Sequence, residues 1–155
     1  MRAIYIANLE AYNRGCMVGL WIKTEGKDLD ELKEEVPSEW EEYAIFDSEG
    51  LGKVEEYTSL EQIADLEEAI QEVGNAKAFL AFRSLVGSDY ANPDNFMDMY
   101  CGEYDSDRAF AAEYIDESGL LDQMPAYLHQ YFDRDLYTKD LMFDHQEIDG
   151  YYFTR

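Results

Sequence analysis

Between Gly102 and Asp133 the chain interleaves two things that rarely share a segment. Its carboxylates there are Glu103, Asp105, Asp107, Glu113, Asp116, Glu117, Asp122 and Asp133, against one basic residue, Arg108. Threaded among them are Tyr104, Phe110, Tyr114, Ile115, Leu120, Leu121, Met124, Leu128, Tyr131 and Phe132. A disordered acidic tail lacks such apolar residues, because without them nothing offsets the entropy of ordering the chain. A segment that has both must fold with its apolar side inward and its charge outward.

The same pattern extends over the whole chain of 155 residues. It has 35 acidic residues against 12 basic ones, a net charge of −23, and each third of the sequence is net negative. Charge spread in this way belongs to the folded body rather than to a tail. Hydrophobic residues make up 46% and aromatic residues 15%, enough for a core. Self-repulsion keeps such a chain soluble and turns it away from nucleic acid and anionic membranes. Its natural complements are a basic protein or cations. Cys16 and Cys101 stand far apart, with no histidine at zinc-site spacing. With no leader-like or membrane-length apolar run in the sequence, a cytoplasmic protein with reduced thiols is expected.

The pattern along the chain predicts α+β architecture. Arg2–Ala7, Val18–Lys23 and Tyr43–Phe46 read as strands, with a short helix from Asp28 to Glu35 stopped by Pro37. Ser59 reads as the cap of a helix from Leu60 to Val73, with Leu60, Ile63, Leu66, Ile70 and Val73 at helical spacing. Glu61, Asp65, Glu68 and Glu72 then form a stripe whose neighbours lie roughly 5–6 Å apart, a spacing at which like charges destabilise the helix. Helices are also predicted over Asn75–Val86, from Pro93 through Tyr100, from a cap at Asp105 or Ser106 to Gly119, and over Pro125–Phe132 and Arg134–Phe143. Asp149-Gly150 is a hairpin turn signal. We divide the chain into an N-terminal α+β domain (1–58), a central helical domain (59–101) and a C-terminal α+β domain (102–155), set in series.

Catalytic patterns are missing from the sequence. Gly50-Leu51-Gly52 lacks both the third glycine and the Lys-Ser/Thr ending of phosphate loops, no serine sits in a nucleophile elbow, and His129 and His145 read as surface or helix-end residues. Among so many acids, a carboxylate pair carries no glycosidase signal. Asp105-Ser106-Asp107 begins like a calcium loop, but Ala109 and Phe110 stand where later ligands and a glycine belong. A salt-adapted solvent coat is a further reading, though such coats come with fewer large apolar residues than these. No cofactor and no metal are expected.

An acidic surface can also imitate DNA. Duplex DNA carries about one negative charge per 1.7 Å of axis, so 35 carboxylates at that density would cover roughly 60 Å. A compact globule of this length is roughly 40 Å across. An elongated arrangement of small domains would match the density of DNA, and a two-fold dimer would double the length.

The segments IYIANLEAYNRGCMVGLWI, EEYAIFDSEGLG, SLEQIADLEEAI and GEYDSDRAFAAEYIDESGLLDQMPAYLHQYFDRDLYTKDL, in that order, resemble the ArdA antirestriction family from Ile4 to about Phe153. Ala44-Ile45-Phe46-Asp47 and Gly102-Glu103-Tyr104-Asp105-Ser106 are the most specific pieces. Leu120–Asp133 corresponds to the family's antirestriction motif. The resemblance implies an elongated, homodimeric, non-enzymatic DNA mimic of three α+β domains, carried on mobile genetic elements and active during conjugative transfer. It would occupy the DNA-binding groove of type I restriction-modification enzymes and block cleavage, and modification with it. The expected target contacts, acting collectively, are Glu61, Asp65, Glu68, Glu72, Glu103, Asp105, Asp107, Glu113, Asp116, Glu117, Asp122 and Asp133. Leu120, Leu121, Pro125, Leu128 and Tyr131 match the motif's apolar and proline places. With Met124 they are read as core packing or a dimer seam. The alternative function is an acidic, non-enzymatic binding module for another basic DNA-binding protein.

Overall fold

The computed structural model describes residues 1–155, which form two compact units, Met1–Pro93 and Asp94–Arg155. The architecture is α+β, with an N-terminal three-stranded antiparallel sheet, central helices and a short C-terminal antiparallel sheet.

In the first unit, β1 (Ala3–Asn8) lies between β2 (Gly19–Lys23) and β3 (Tyr43–Glu49). Alternation along β1 sends Ile4 and Ile6 inward beside Ile22 and Ile45, all nearly or fully buried. A turn of helix, α1 (Leu9–Asn13), capped by Asn8, follows β1. α2 (Leu29–Glu35) starts at a capping box, in which Asp28 accepts from the Glu31 N–H at 2.9 Å and the Glu31 side chain reaches back. α3 (Leu60–Val73) and α4 (Ala76–Val86) supply Leu60, Ile63, Leu66, Ile70, Phe79 and Phe82 to the core.

The second unit contains most of α5 (Pro93–Met99), followed by β4 (Tyr100–Glu103), α6 (Asp107–Ser118), α7 (Arg134–Leu141), β5 (His145–Ile148) and β6 (Tyr151–Thr154), with sheet order β4-β6-β5. The β5–β6 hairpin turns on Asp149 (φ 54°) and Gly150 (φ 87°), the pair of positive φ values that a tight turn between twisted strands requires. Its core is aromatic: Phe110 stacks on Tyr152 with centroids 4.6 Å apart, and Phe96 packs edge-on to Phe153.

Three expectations are corrected. Tyr100 does not extend the preceding helix but opens β4, because it pairs with Phe153. The segment expected as a helix over Pro125–Phe132 is a 3₁₀ turn, Ala126–Tyr131, preceded by another over Leu121–Gln123. The last helix ends at Leu141 rather than Phe143.

Candidate functional site

The capping box at Ser59 fixes the phase of α3. Ser59 Oγ accepts from the Gln62 N–H at 3.1 Å, and Gln62 Oε1 accepts from the Ser59 N–H at 2.9 Å. With Leu60, Ile63, Leu66 and Ile70 turned inward, Glu61, Asp65, Glu68 and Glu72 are left exposed. α6 works in the same way. Ser106 caps it by accepting from the Ala109 N–H at 3.0 Å, Phe110, Ala111 and Ile115 are buried, and Asp107, Glu113, Asp116 and Glu117 face solvent. The helix begins directly at Asp107, where a calcium loop would still need open backbone. Glu103, Asp105, Asp122 and Asp133 are exposed as well, and Asp133 caps α7 by accepting from the Leu136 N–H at 3.0 Å.

Of the 35 carboxylates, Glu67 alone is buried, at 1% exposure. It accepts from Arg2 Nε at 2.7 Å, Arg2 Nη2 at 3.0 Å and Thr24 Oγ1 at 3.0 Å. The hydrogen bond to Glu67 raises the Arg2 pKa above its ordinary value. The other ion pairs engage Glu10, Glu25, Glu35, Glu55 and Asp135. None of the twelve acids read as target contacts belongs to an ion pair. Their charge is therefore presented to solvent without an internal counter-ion. Asp107 has an internal partner of a different kind, accepting from Tyr152 Oη at 2.7 Å. Burial, and then this bond, push the Tyr152 phenol well above its ordinary range.

The family model for antirestriction protein (ArdA) matches residues 4–153. The chain belongs to the ArdA family. That is a family of antirestriction inhibitors, directed at restriction-modification enzymes. No curated protein matches the chain, and no helix is long and apolar enough to cross a membrane.

The Leu120–Asp133 segment of this ArdA chain is held differently from the helices around it. Leu120, Leu121, Met124 and Leu128 are half-buried, Pro125 is exposed, and Tyr131 is 75% exposed. His129 Nε2 lies 2.6 Å from the Leu121 carbonyl and 3.1 Å from the Met124 carbonyl. Both are acceptors, so Nε2 carries the proton and donates to both, tying one 3₁₀ turn to the other. Sequence reading missed this role and the burial of Glu67, since neither partner set follows from local spacing. It also missed His145, which is only 6% exposed and lies 5.1 Å from the Phe110 ring centroid.

A cavity of about 900 Å³ in the first unit is lined by Ile63, Leu66, Phe79, Lys53, Arg83 and Asp65, among others. Arg83 Nη1 is tied to the Lys53 carbonyl at 2.9 Å. The wall holds no histidine or cysteine.

Proposed function

We propose that this ArdA chain is a DNA mimic that fills the DNA-binding groove of a type I restriction-modification enzyme and blocks cleavage and modification of incoming DNA. The observation carrying this reading is that all but one of the 35 carboxylates are exposed, while the exposed acids of α3, α6 and the Leu120–Asp133 segment have no ion-pair partner. Such a surface offers a basic groove what the phosphate backbone offers it, namely dense, fixed negative charge whose docking releases counter-ions. On this reading the chain acts as a homodimer. Leu120, Leu121, Met124, Pro125, Leu128 and Tyr131 form the seam, in a stretch free of acids from Gln123 to Phe132. Its setting is the cytoplasm of a cell receiving a mobile element.

The test is displacement of a labelled target duplex from a purified type I enzyme at two salt concentrations. Displacement near stoichiometric protein, weakening as salt rises, is the expected result. A duplex that stays bound in the presence of folded protein would refute the mimicry.

A further inference from the structure

Sheet edges present unpaired N–H and C=O groups, which natural proteins guard with charge. The two sheets, ordered β2-β1-β3 and β4-β6-β5, have four such edges. Three carry exposed carboxylates: Asp47 and Glu49 on β3, Glu103 on β4 and Glu147 on β5. β2 carries none. Residues 11–24 contain no acid at all, only Arg14 and Lys23, in a chain with 35 acids. Val18 is 46% exposed there, Trp21 50% and Met17 56%.

The ladder shows which backbone groups of β2 are open. The Asn8 N–H donates to the Val18 carbonyl at 2.8 Å, and the Thr24 N–H donates to the Arg2 carbonyl at 3.0 Å. Hydrogen-bonded and non-bonded pairs alternate in an antiparallel ladder. Leu20 and Ile22 therefore bond to β1, while Gly19, Trp21 and Lys23, in register with Ala7, Tyr5 and Ala3, aim their backbone groups away from the sheet. Beside this edge the outer face is aromatic, with the Tyr5 and Trp21 rings 5.4 Å apart. Tyr5 lies so close over Gly19 that a Cβ there would sit 2.5 Å from its ring.

We propose that β2 is a self-association edge, to which a second copy of this chain adds its own β2 antiparallel about a two-fold axis at Trp21. In that register Trp21 meets Trp21 of the second copy and Gly19 meets Lys23, so the open groups of each strand match those of the other and no like charges stand opposite. Two copies of net charge −23 repel one another over most of their surface. At the acid-free edge that repulsion is weak, and there alone among the four sheet edges is backbone pairing on offer without a carboxylate on the strand. The contact is separate from the seam proposed at Leu120–Tyr131. Two different two-fold contacts on one chain link copies into open rows rather than a closed pair.

Sedimentation equilibrium of the full chain at low and high salt tests this, with Trp21→Asp and Tyr131→Asp as variants and circular dichroism as the check on folding. Association through β2 strengthens as salt screens the repulsion, the opposite sign from binding to a basic enzyme. Trp21→Asp, which sets two carboxylates face to face, weakens it by at least about tenfold, while Tyr131→Asp leaves it in place. As a second probe, Trp21→Cys in a Cys16→Ser, Cys101→Ser background forms a disulfide dimer on mild oxidation, because bonded antiparallel pairs place Cα atoms about 5.5 Å apart. Association unmoved by Trp21→Asp, or no crosslink from Trp21→Cys, overturns the proposal. It also falls if Trp21→Asp impairs duplex displacement without touching association, since the edge would then serve the target. Should Tyr131→Asp alone abolish all association, the β2 contact fails and the seam stands. Loss with Trp21→Asp alone has the opposite meaning: the β2 contact stands and the seam fails.

Discussion

In the N-terminal unit the most deeply buried acidic side chain is a carboxylate, Glu67, paired with Arg2 and hydrogen-bonded by Thr24. In the C-terminal unit the corresponding buried group is a phenol, Tyr152, and the carboxylate that receives its hydrogen bond, Asp107, stays at the surface. The first arrangement takes one acid out of the exposed set and occupies one of only 12 bases. The second anchors a helix to a sheet with neutral aromatic groups and leaves every acid of its unit outside. Under the proposed mimicry, in which exposed negative charge carries the function, a chain gains from the second solution, because its core makes no demand on counter-ions. The first is confined to one place, where α3 meets the start of β1.

The comparison breaks most sharply at Arg2. Replacing it with leucine leaves Glu67 buried without a partner, and uncompensated charges of this kind destabilise by about 3–5 kcal/mol. Arg2 is partly exposed, at 18%, so a loss near about 3 kcal/mol is expected. Both tryptophans, Trp21 and Trp40, lie in the N-terminal unit, so urea unfolding followed by tryptophan fluorescence reads the effect there. A double change to Arg2→Leu, Glu67→Leu should cost less than Arg2→Leu alone. If it costs more, the pair is a net source of stability rather than a neutralised burden.

The phenol side of the comparison is sharpened by alkali. Burial raises the pKa of Tyr100, Tyr104, Tyr137, Tyr151 and Tyr152 above the ordinary 10.0, and all five lie in the C-terminal unit. Below about pH 10 both folded and unfolded phenols keep their protons, and stability is full. Above it the unfolded phenols ionise first, so stability falls as pH rises toward the folded values. Thermal melts between about pH 8 and 11 should show this decline. Tyr152→Phe should cost about 1.5 kcal/mol at neutral pH, as a hydrogen bond to a charged acceptor is lost, and should make the alkaline decline shallower. Hydrogen exchange at Tyr151–Thr154 localises the change, and an unaltered slope in the variant would remove Tyr152 from the account.

Much of this is legible in the sequence, and the reason lies in the range of the interactions. α3 can be read because Ser59, Gln62 and the Leu60–Ile63–Leu66–Ile70 spacing act within a few residues of one another. The exposed stripe of Glu61, Asp65, Glu68 and Glu72 follows from the same phase. Glu67 reads as one more acid beside Glu68, and only Arg2, 65 residues away in sequence, makes it an interior group. β4 is hidden for a like reason. Phe96, Met97 and Tyr100 keep helical spacing, and Tyr100 becomes a strand residue through its pairing with Phe153.

The Leu120–Asp133 segment belongs to neither type of anchoring, since it rests on His129 donating to the Leu121 and Met124 carbonyls. His129→Ala should cost about 1 kcal/mol and speed hydrogen exchange of Met124 and Leu128, whose N–H groups close the two turns. His129→Gln keeps an N–H donor on its side chain and should restore part of both. Equal loss in the two variants would point to ring packing instead of the hydrogen bonds.

The smallest effects on folding are expected where the comparison predicts the most slack, in the exposed acids themselves. Glu61, Asp65, Glu68 and Glu72 have no ion-pair partner and repel one another along α3. Neutralising any one to its amide should leave stability within about 0.5 kcal/mol and duplex displacement almost unchanged, because one screened charge among many contributes little. Neutralising all four should stabilise the helix by a few tenths of a kcal/mol for each relieved neighbour pair while weakening displacement and reducing its salt dependence. That opposition of signs, a firmer fold with poorer inhibition, separates an interaction surface from a solvent coat, for which the added stability would come with no loss of inhibition. A single amide substitution that cost more than about tenfold in inhibition would instead locate a discrete contact within what is here a distributed surface.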